Sequence, residues 1–319
     1  MKLRLNIIQL SLLSFLFLLN VNLSSQENQK VFEEIIVTAE KRDESLQTIS
    51  QAVTAITESE IDDKNITSFV DLTSIVPGVT VAKNEGYKTV ISIRGVGNET
   101  NQNAIAAPSV AYHMDGVFIA SPFSLQTDFV DIERIEVLRG PQGTLFGQNS
   151  TGGAINVISK KPSTSAFSSN ASMTIGDFNL RKVSSSTNFP ISDSVATKFT
   201  FTSTERDGFS RNVVTGQDLD DASNISLRSD WIFELNDTSS LRIFGQYFDS
   251  DRNGAAMRGI DDANDSMRKL SQDSLSKQEL TSKVIALIYE SDLGYASLKI
   301  LGSIQEDDVL VVRDNDRHN

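Results

Sequence analysis

The residues most able to do chemistry sit in RIEVLRGPQGTLFGQNSTGGAINVISKKP, residues 134–162, where Gly140, Gly143, Gly147, Gly152 and Gly153 lie between two strand-like runs. A glycine-rich loop after a strand can cradle phosphate, because glycine tolerates positive φ and close backbone approach. A P-loop also needs a Lys and a Ser or Thr directly after its last glycine. Here Gly147 is followed by Gln148 and Asn149, and no lysine appears before Lys160. A dinucleotide fingerprint opens a helix, yet Gly153 leads into AINVIS, whose β-branched alternation reads as a strand. A tight loop between two strands fits these residues better than a phosphate site.

Other chemistries lack material. The chain has no cysteine, which removes disulfides, thiolate catalysis and Cys-based metal sites. Its only histidines are His113 and His318, too far apart for a local metal motif, and His113 in SVAYHMDGVF reads as a strand residue. Carboxylates are plentiful, but nothing singles out a catalytic pair. No catalytic residue, metal or cofactor is expected. The formal charge is −13, without basic clusters, which argues against nucleic acid.

The elements around these residues fall into distinct textures. Residues 1–25 carry Lys2 and Arg4, the apolar run LSLLSFLFLL and then Ser24 and Ser25, the layout of a secretory signal peptide. The apolar run is short of the roughly 20 residues a bilayer span needs. Residues 26–50 form a polar N-terminal segment around EIIVT, Glu34 to Thr38. That β-prone stretch is flanked by charge and has no strand partner in its neighbourhood, so it is either the first strand of the next domain or a strand that adds to another protein's sheet.

Residues 51–162 mix α and β signals. AVTAIT reads as a strand, Thr57 with Glu60 offers a capping box for a short helix, and Ser68 opens a second one stopped by Pro77-Gly78. TVISIRG follows as a strand. VAYHM-DG-VFIA is a hairpin signal, with Asp115-Gly116 supplying the positive φ of a type I′ turn. One compact α+β domain follows.

Residues 163–319 alternate apolar and polar. Val195, Thr197, Phe199 and Phe201 share one face; so do Ile225, Leu227, Trp231, Phe233 and Leu235, and Ala296, Leu298, Ile300 and Ile304. Lys198, Thr200, Asn224, Arg228, Asp230, Glu234 and Lys299 occupy the opposite faces. Short turns alternate with longer polar loops at 206–221 and 251–278. This describes an antiparallel transmembrane β-barrel wall, with a soluble sandwich as the competing reading.

EEIIVTAEKRDESLQTISQAVTAIT, LTSIVPGVTV, ISIRGVG, VAYHMDGVFI and RIEVLRGPQGTLFGQNSTGGAINVISKKP together resemble the TonB box and plug domain of the TonB-dependent outer-membrane receptors, in the family's order. The resemblance implies an α+β plug followed by antiparallel transmembrane β-barrel strands, a plugged barrel of about 22 strands when complete. It assigns Glu34, Ile35, Ile36, Val37 and Thr38 to TonB, which draws energy through ExbB and ExbD. It pairs Arg94 and Arg139 of the plug with carboxylates on the wall, across a wet polar interface. Substrate contacts are expected from outward plug loops, with Tyr87, Asn98, Asn101, Gln102 and Asn103 as candidates. The implied activity is uptake of a scarce solute, such as a ferric siderophore or other iron complex, across the outer membrane of a Gram-negative bacterium. The alternative is a truncated, uncoupled receptor fragment that only binds a ligand or partner. Residues 163–319 have room for about seven or eight strands with their loops, so the sequence reads as the N-terminal part of a longer receptor.

Overall fold

The computed structural model describes residues 35–38, 44–84, 88–97, 108–121 and 124–314. The signal segment, Glu34, and the candidate substrate residues Tyr87, Asn98, Asn101, Gln102 and Asn103 lie outside them.

The chain opens with a two-residue strand, β1 (Ile36–Val37), paired antiparallel with β2 (Glu44–Ser45). β3 (Val53–Thr57) runs into the helix Glu58–Asp63. Thr57 caps that helix reciprocally with Glu60, satisfying end N–H groups that would otherwise lack partners. Phe69–Asp71 is a 3-10 turn continued by the helix Leu72–Ile75, which ends before Pro77. β4 (Val79–Asn84), β5 (Lys88–Ile93) and β6 (Val96–Gly97) make a small antiparallel sheet.

β7 (Val110–Met114) and β8 (Val117–Phe118) form the hairpin, turned at Asp115 (φ 53°) and Gly116 (φ 86°). The type I′ geometry expected from Asp-Gly is present. β9 (Ile132–Arg139) and β10 (Gly153–Ser159) complete a five-stranded sheet in the order β3-β9-β10-β7-β8. Within this sheet only the β10–β7 pairing is parallel. Ile135, Val137, Ile155 and Val157 are buried on one face with Phe69 and Tyr112, whose rings meet edge to face at 4.7 Å.

The remainder is a wall of seven antiparallel strands, neighbours in order: β11 (Ser168–Gly176), β12 (Leu180–Ser192), β13 (Val195–Arg206), β16 (Ala222–Asn236), β17 (Ser239–Arg252), β19 (Lys277–Asp292) and β20 (Ser297–Val312). The edge strands β11 and β20 do not pair with each other, so the wall is an unclosed barrel. The excursions between β13 and β16 and between β17 and β19 meet in a small sheet of β14 (Ser210–Asn212), β15 (Asp218–Leu219) and β18 (Lys269–Leu270). Both long connections leave one end of the wall, beside the short β11–β12 turn at 177–179, and the turns at the other end are all short.

Parity divides the two faces. Even-numbered residues of β12, β13, β16 and β17 face the plug: Lys198 pairs with Asp131, and Arg228 with Asp115. Odd-numbered residues face away. Phe199, Leu227, Tyr247, Ile285 and Leu287 remain exposed there although they are apolar. Phe167, Phe189, Phe199, Trp231 and Phe233 form a chain of ring contacts, 5.5 to 6.4 Å between centroids, near the short-turn end. An apolar outer band with an aromatic girdle is what lipid contact requires of a strand wall.

The plug does not meet the wall by polar contacts alone. Phe244, Val284, Ala286 and Ile288 of β17 and β19 belong to the plug's own hydrophobic cluster, and Leu301 packs on it. The expectation of a wholly wet interface is corrected here. The runs RIFGQYF and VIALI carry apolar residues on both faces, so their inward side chains bury against Tyr112, Met114 and Val117.

Candidate functional site

The N-terminal segment is tethered under the plug sheet. Ile36 pairs with Ser45 and Val37 with Glu44, and Val37 is fully buried among Ala55, Ala111, Leu138 and Phe146. The Thr38 N–H donates to Glu136 Oε1 at 2.7 Å, and its hydroxyl donates to both oxygens of the same carboxylate at 3.1 Å. Glu136, fully buried on β9, also accepts from Arg134 Nε at 2.9 Å and from Asn156 Nδ2 at 3.4 Å. The sequence left open whether this stretch is a domain strand or a free one; in this structure it has a short intrachain partner. Glu136 was not singled out from the sequence. Its one signal is a carboxylate placed between Ile135 and Val137 in a run that otherwise reads as core.

A second cluster joins plug to wall. Asp115, at the hairpin turn, accepts from Arg228 at 2.6 Å and lies 3.4 Å from Arg242. Both arginines also hold Asp230 on the wall, at 3.0 and 2.5 Å. The Ser159 N–H and hydroxyl complete the shell of Asp115 at 2.9 and 2.8 Å. Burial by itself would raise the Asp115 carboxyl. The guanidinium groups of Arg242 and Arg228 and the bonds from Ser159 outweigh burial and hold it down at about 2. Arg228 further stacks on the Phe244 ring, 4.0 Å from its centroid.

More plug carboxylates follow the same pattern. Asp128 pairs with Lys182 at 3.0 Å and Asp131 with Lys198 at 2.7 Å, while Ser186 donates to Asp131 at 2.8 Å. Lys161 reverses the sign, pairing with Glu290 of the wall at 3.0 Å. Most of these ion pairs therefore join plug acids to wall cations.

Arg94 and Arg139 are expected to pair with wall carboxylates; beside the seven strands described here they have other neighbours. Arg139 donates to Thr54 inside the plug, on the neighbouring strand β3, and no carboxylate partner is found for it among the described residues. Arg94 sits at a positive φ of 54°, in the turn between β5 and β6, with its N–H bonded to Gly78 O at 2.7 Å. Neither contacts a wall carboxylate among the described residues. Strand pairing brings Arg139 onto Thr54 of the plug, Arg94 is exposed, and the ionic contact with these wall strands is made by Asp115, Asp128 and Asp131.

The glycine loop is not a phosphate cradle. Its N–H groups are taken by carbonyls: Gly140 by Gly152, Gln142 by Ser150, Gly147 by Gly143 and Gly152 by Ser109. A single helical turn, Gly143–Phe146, interrupts what reads as a plain loop. Gly153 is dictated by space, since a Cβ there would lie 2.2 Å from Leu138 O. His113 is buried against the Phe118 and Phe146 rings, as a strand residue.

Comparison with known proteins agrees with this arrangement. Residues 45–154 match the family model described as TonB-dependent Receptor Plug Domain. The pesticin receptor of Yersinia pestis is 32% identical over 144 residues, which is 44% of this chain and 20% of that protein. The vitamin B12 transporter BtuB of Vibrio vulnificus is 24% identical over 220 residues, 69% of this chain and 35% of that protein. In fold, the crystal structure of the ferric yersiniabactin uptake receptor FyuA from Yersinia pestis superposes with a TM-score of 0.69 at 21% identity, over 82% of this chain and 41% of that one. The chain thus spans well under half the length of the proteins it matches. They are named as receptors and transporters, not enzymes.

Proposed function

We propose that the chain, whose residues 45–154 match the TonB-dependent receptor plug domain, carries a scarce solute across the outer membrane, powered by TonB with ExbB and ExbD. The observation that carries this reading is the plug itself, seated by Asp115, Asp128 and Asp131 on the cationic inner face of a wall whose outer face is apolar. Such a plug closes a passage until it moves. The end bearing the long connections faces outward, in keeping with strand walls whose periplasmic turns are short.

Residues Glu34 to Thr38 are the segment that TonB takes as an added strand. Ion pairs between plug and wall can exchange for water as the plug shifts, whereas the apolar contact with Phe244 and Val284 resists that shift. The cargo class proposed is an iron complex such as a ferric siderophore. It is supported by likeness to a protein described as a ferric yersiniabactin uptake receptor, while likeness to a vitamin B12 transporter marks the main competing cargo.

Energy-dependent uptake in cells carrying the Ile36→Pro variant tests the reading, since proline removes the N–H that strand pairing needs. Uptake falling to the level of a TonB-deficient strain is the expected result. Uptake that persists at the native rate overturns the assignment of this segment.

A further inference from the structure

We infer that the connections at the outer end of this wall are fused into one rigid cap, which opens and unfolds as a unit and admits cargo past it without parting. The cap joins the turn at 177–179, the connection 207–221 between β13 and β16, and the connection 253–276 between β17 and β19. Its unity stands on geometry; only the clause about cargo rests on the uptake reading.

The two long connections pair as strands. β14 lies antiparallel to β15 within the first and parallel to β18 of the second, so the chain returns to it only after building β16 and β17. The Arg211 N–H donates to Arg268 O at 2.8 Å and the Val213 N–H to Leu270 O at 2.9 Å. Leu219 and Leu270 of this small sheet are buried. At Gly208 an added Cβ would lie 2.6 Å from Leu219 O, so the first connection folds back tightly on itself.

Side-chain amides extend the pairing where the strands stop. Asn212 donates through Nδ2 to Gln272 O at 2.9 Å and accepts the Gln272 N–H at 3.2 Å. Gln217 does the same with Ser276, donating at 2.7 Å and accepting at 2.9 Å. Each carboxamide thus exchanges both bonds with one backbone residue, as a residue of a neighbouring strand does. Nearer the wall, the Asp220 N–H donates to Gly254 O at 2.8 Å, and the Asp220 and Asp221 carboxylates accept from the N–H groups of Ala256 and Asn253 at 3.1 and 2.9 Å. The turn is tied in as well. The Asp207 N–H donates to Phe178 O at 2.8 Å, and Arg268 lies over both the Phe178 and Phe209 rings, 5.4 and 5.7 Å from their centroids.

Loops that move independently are each ordered by their own bonds. Here each long connection is held by bonds to the other, so freeing one strips the other of the partners that offset its ordering entropy. Stapled together, they leave only short free spans, which gain little entropy by opening alone. The cap is also rooted, because β13, β16, β17 and β19, from which the long connections spring, are paired in series. A flap that parts in every transport cycle has to exchange all of these bonds for water, whereas a fixed rim exchanges none. The movement that admits cargo therefore falls to the plug and not to a parting of these two connections.

Hydrogen exchange followed by mass spectrometry, on the full-length protein in detergent, tests the unity of the cap. Gln217→Ala alters the first connection alone, yet segments 208–220 and 253–275 should both exchange about tenfold faster, for the pair of hydrogen bonds lost, while the 110–118 hairpin keeps its native rate. Asn212→Ala should do the same, and gel mobility of unheated samples reports that each variant keeps its folded wall. Acceleration confined to the first connection, or none in either variant, overturns the inference. The chain has no cysteine, so Arg211→Cys combined with Lys269→Cys, register partners across β14 and β18, locks the two connections by a single disulfide. Uptake by cells carrying the locked pair should match uptake by the same cells after reduction. Uptake that appears only after reduction shows that the connections must part, and a pair that does not cross-link contradicts their pairing; either overturns the inference. Exchange needs neither cargo nor TonB, so its outcome is separable from failure of the uptake reading.

Discussion

Thr38 and Glu136, separated by 98 positions in the sequence, are joined through the Thr38 N–H at 2.7 Å. That N–H points at a buried carboxylate and is one of the groups a partner strand has to engage, so the segment is held by the plug it is proposed to help move. Glu136→Gln keeps the shape and removes the charge. Charge-assisted hydrogen bonds contribute about 1.5–3 kcal/mol, so amide exchange at residues 36–38 should accelerate by about tenfold or more. Native exchange rates at Thr38 in the variant would mean that Glu136 does not restrain it.

Asp115 fastens the plug hairpin to the wall. It occupies a left-handed turn position, φ 53°, which asparagine also accepts, so Asp115→Asn changes the charge without straining the turn. Arg228 and Arg242 are then left with Asp230 alone. Breaking a buried ion pair from one side costs about 3–5 kcal/mol. The expected outcome is a lower denaturant midpoint for the plug signal, with faster exchange in the 110–118 hairpin. A midpoint equal to that of the native protein would show the cluster to be energetically idle.

The same residue sets a pH dependence. Its folded pKa of about 2 lies below the unfolded aspartate value near 3.8, so its contribution is fully present above the unfolded value and is lost as pH falls through the folded one. The difference corresponds to about 2 kcal/mol. Stability of plug docking at pH 7, 5 and 2.5 should show no Asp115-dependent change between the first two and a fall at the third. Asp115→Asn should be less stable at pH 7 and converge with the native protein near pH 2. Equal slopes in both proteins would exclude Asp115 as the titrating group.

Much of this architecture was legible because it is written locally. The Thr57–Glu60 capping box, the Asp115-Gly116 turn and the period of two along 195–201 and 225–235 are short-range patterns, and each has the geometry its residues predict. Contacts between plug and wall are not local. Asp115 meets Arg228 only because the whole wall sits at a particular register against the plug, and no spacing within either segment encodes that. Parity did place Lys198, Arg228 and Asp230 on a common polar face, which is where the plug's carboxylates are found. The partner of Arg139 was not legible, because a charged residue at a strand's end reads the same whether it points outward to a wall or back to Thr54.

The glycines of the loop separate into two kinds. At Gly153 an added Cβ would lie 2.2 Å from Leu138 O and 2.8 Å from Ile93 Cδ1, at φ 146°. Gly143 has open space and no positive φ. Gly153→Ala should therefore cost about 3 kcal/mol or more, combining a strained backbone with a displaced strand, whereas Gly143→Ala should stay within about 0.5 kcal/mol. Denaturant midpoints of the two variants check this, and comparable losses at both positions would contradict the distinction.

The apolar outer face gives the most direct test of the membrane reading. Leu227 and Leu235 both lie on the odd-numbered face of β16 and are about half exposed, but Leu227 is near the strand's middle and Leu235 is next to its end. Arginine on a lipid-facing strand costs about 2–4 kcal/mol at the bilayer midplane and about 0–1 near the interface. In water neither site distinguishes itself, because an exposed arginine is equally well solvated at both. Leu227→Arg should thus lose several times the stability that Leu235→Arg loses when unfolding is followed in lipid vesicles. Equal and small losses would mean that this face meets water, and the wall would have to be reinterpreted as half of a soluble sandwich.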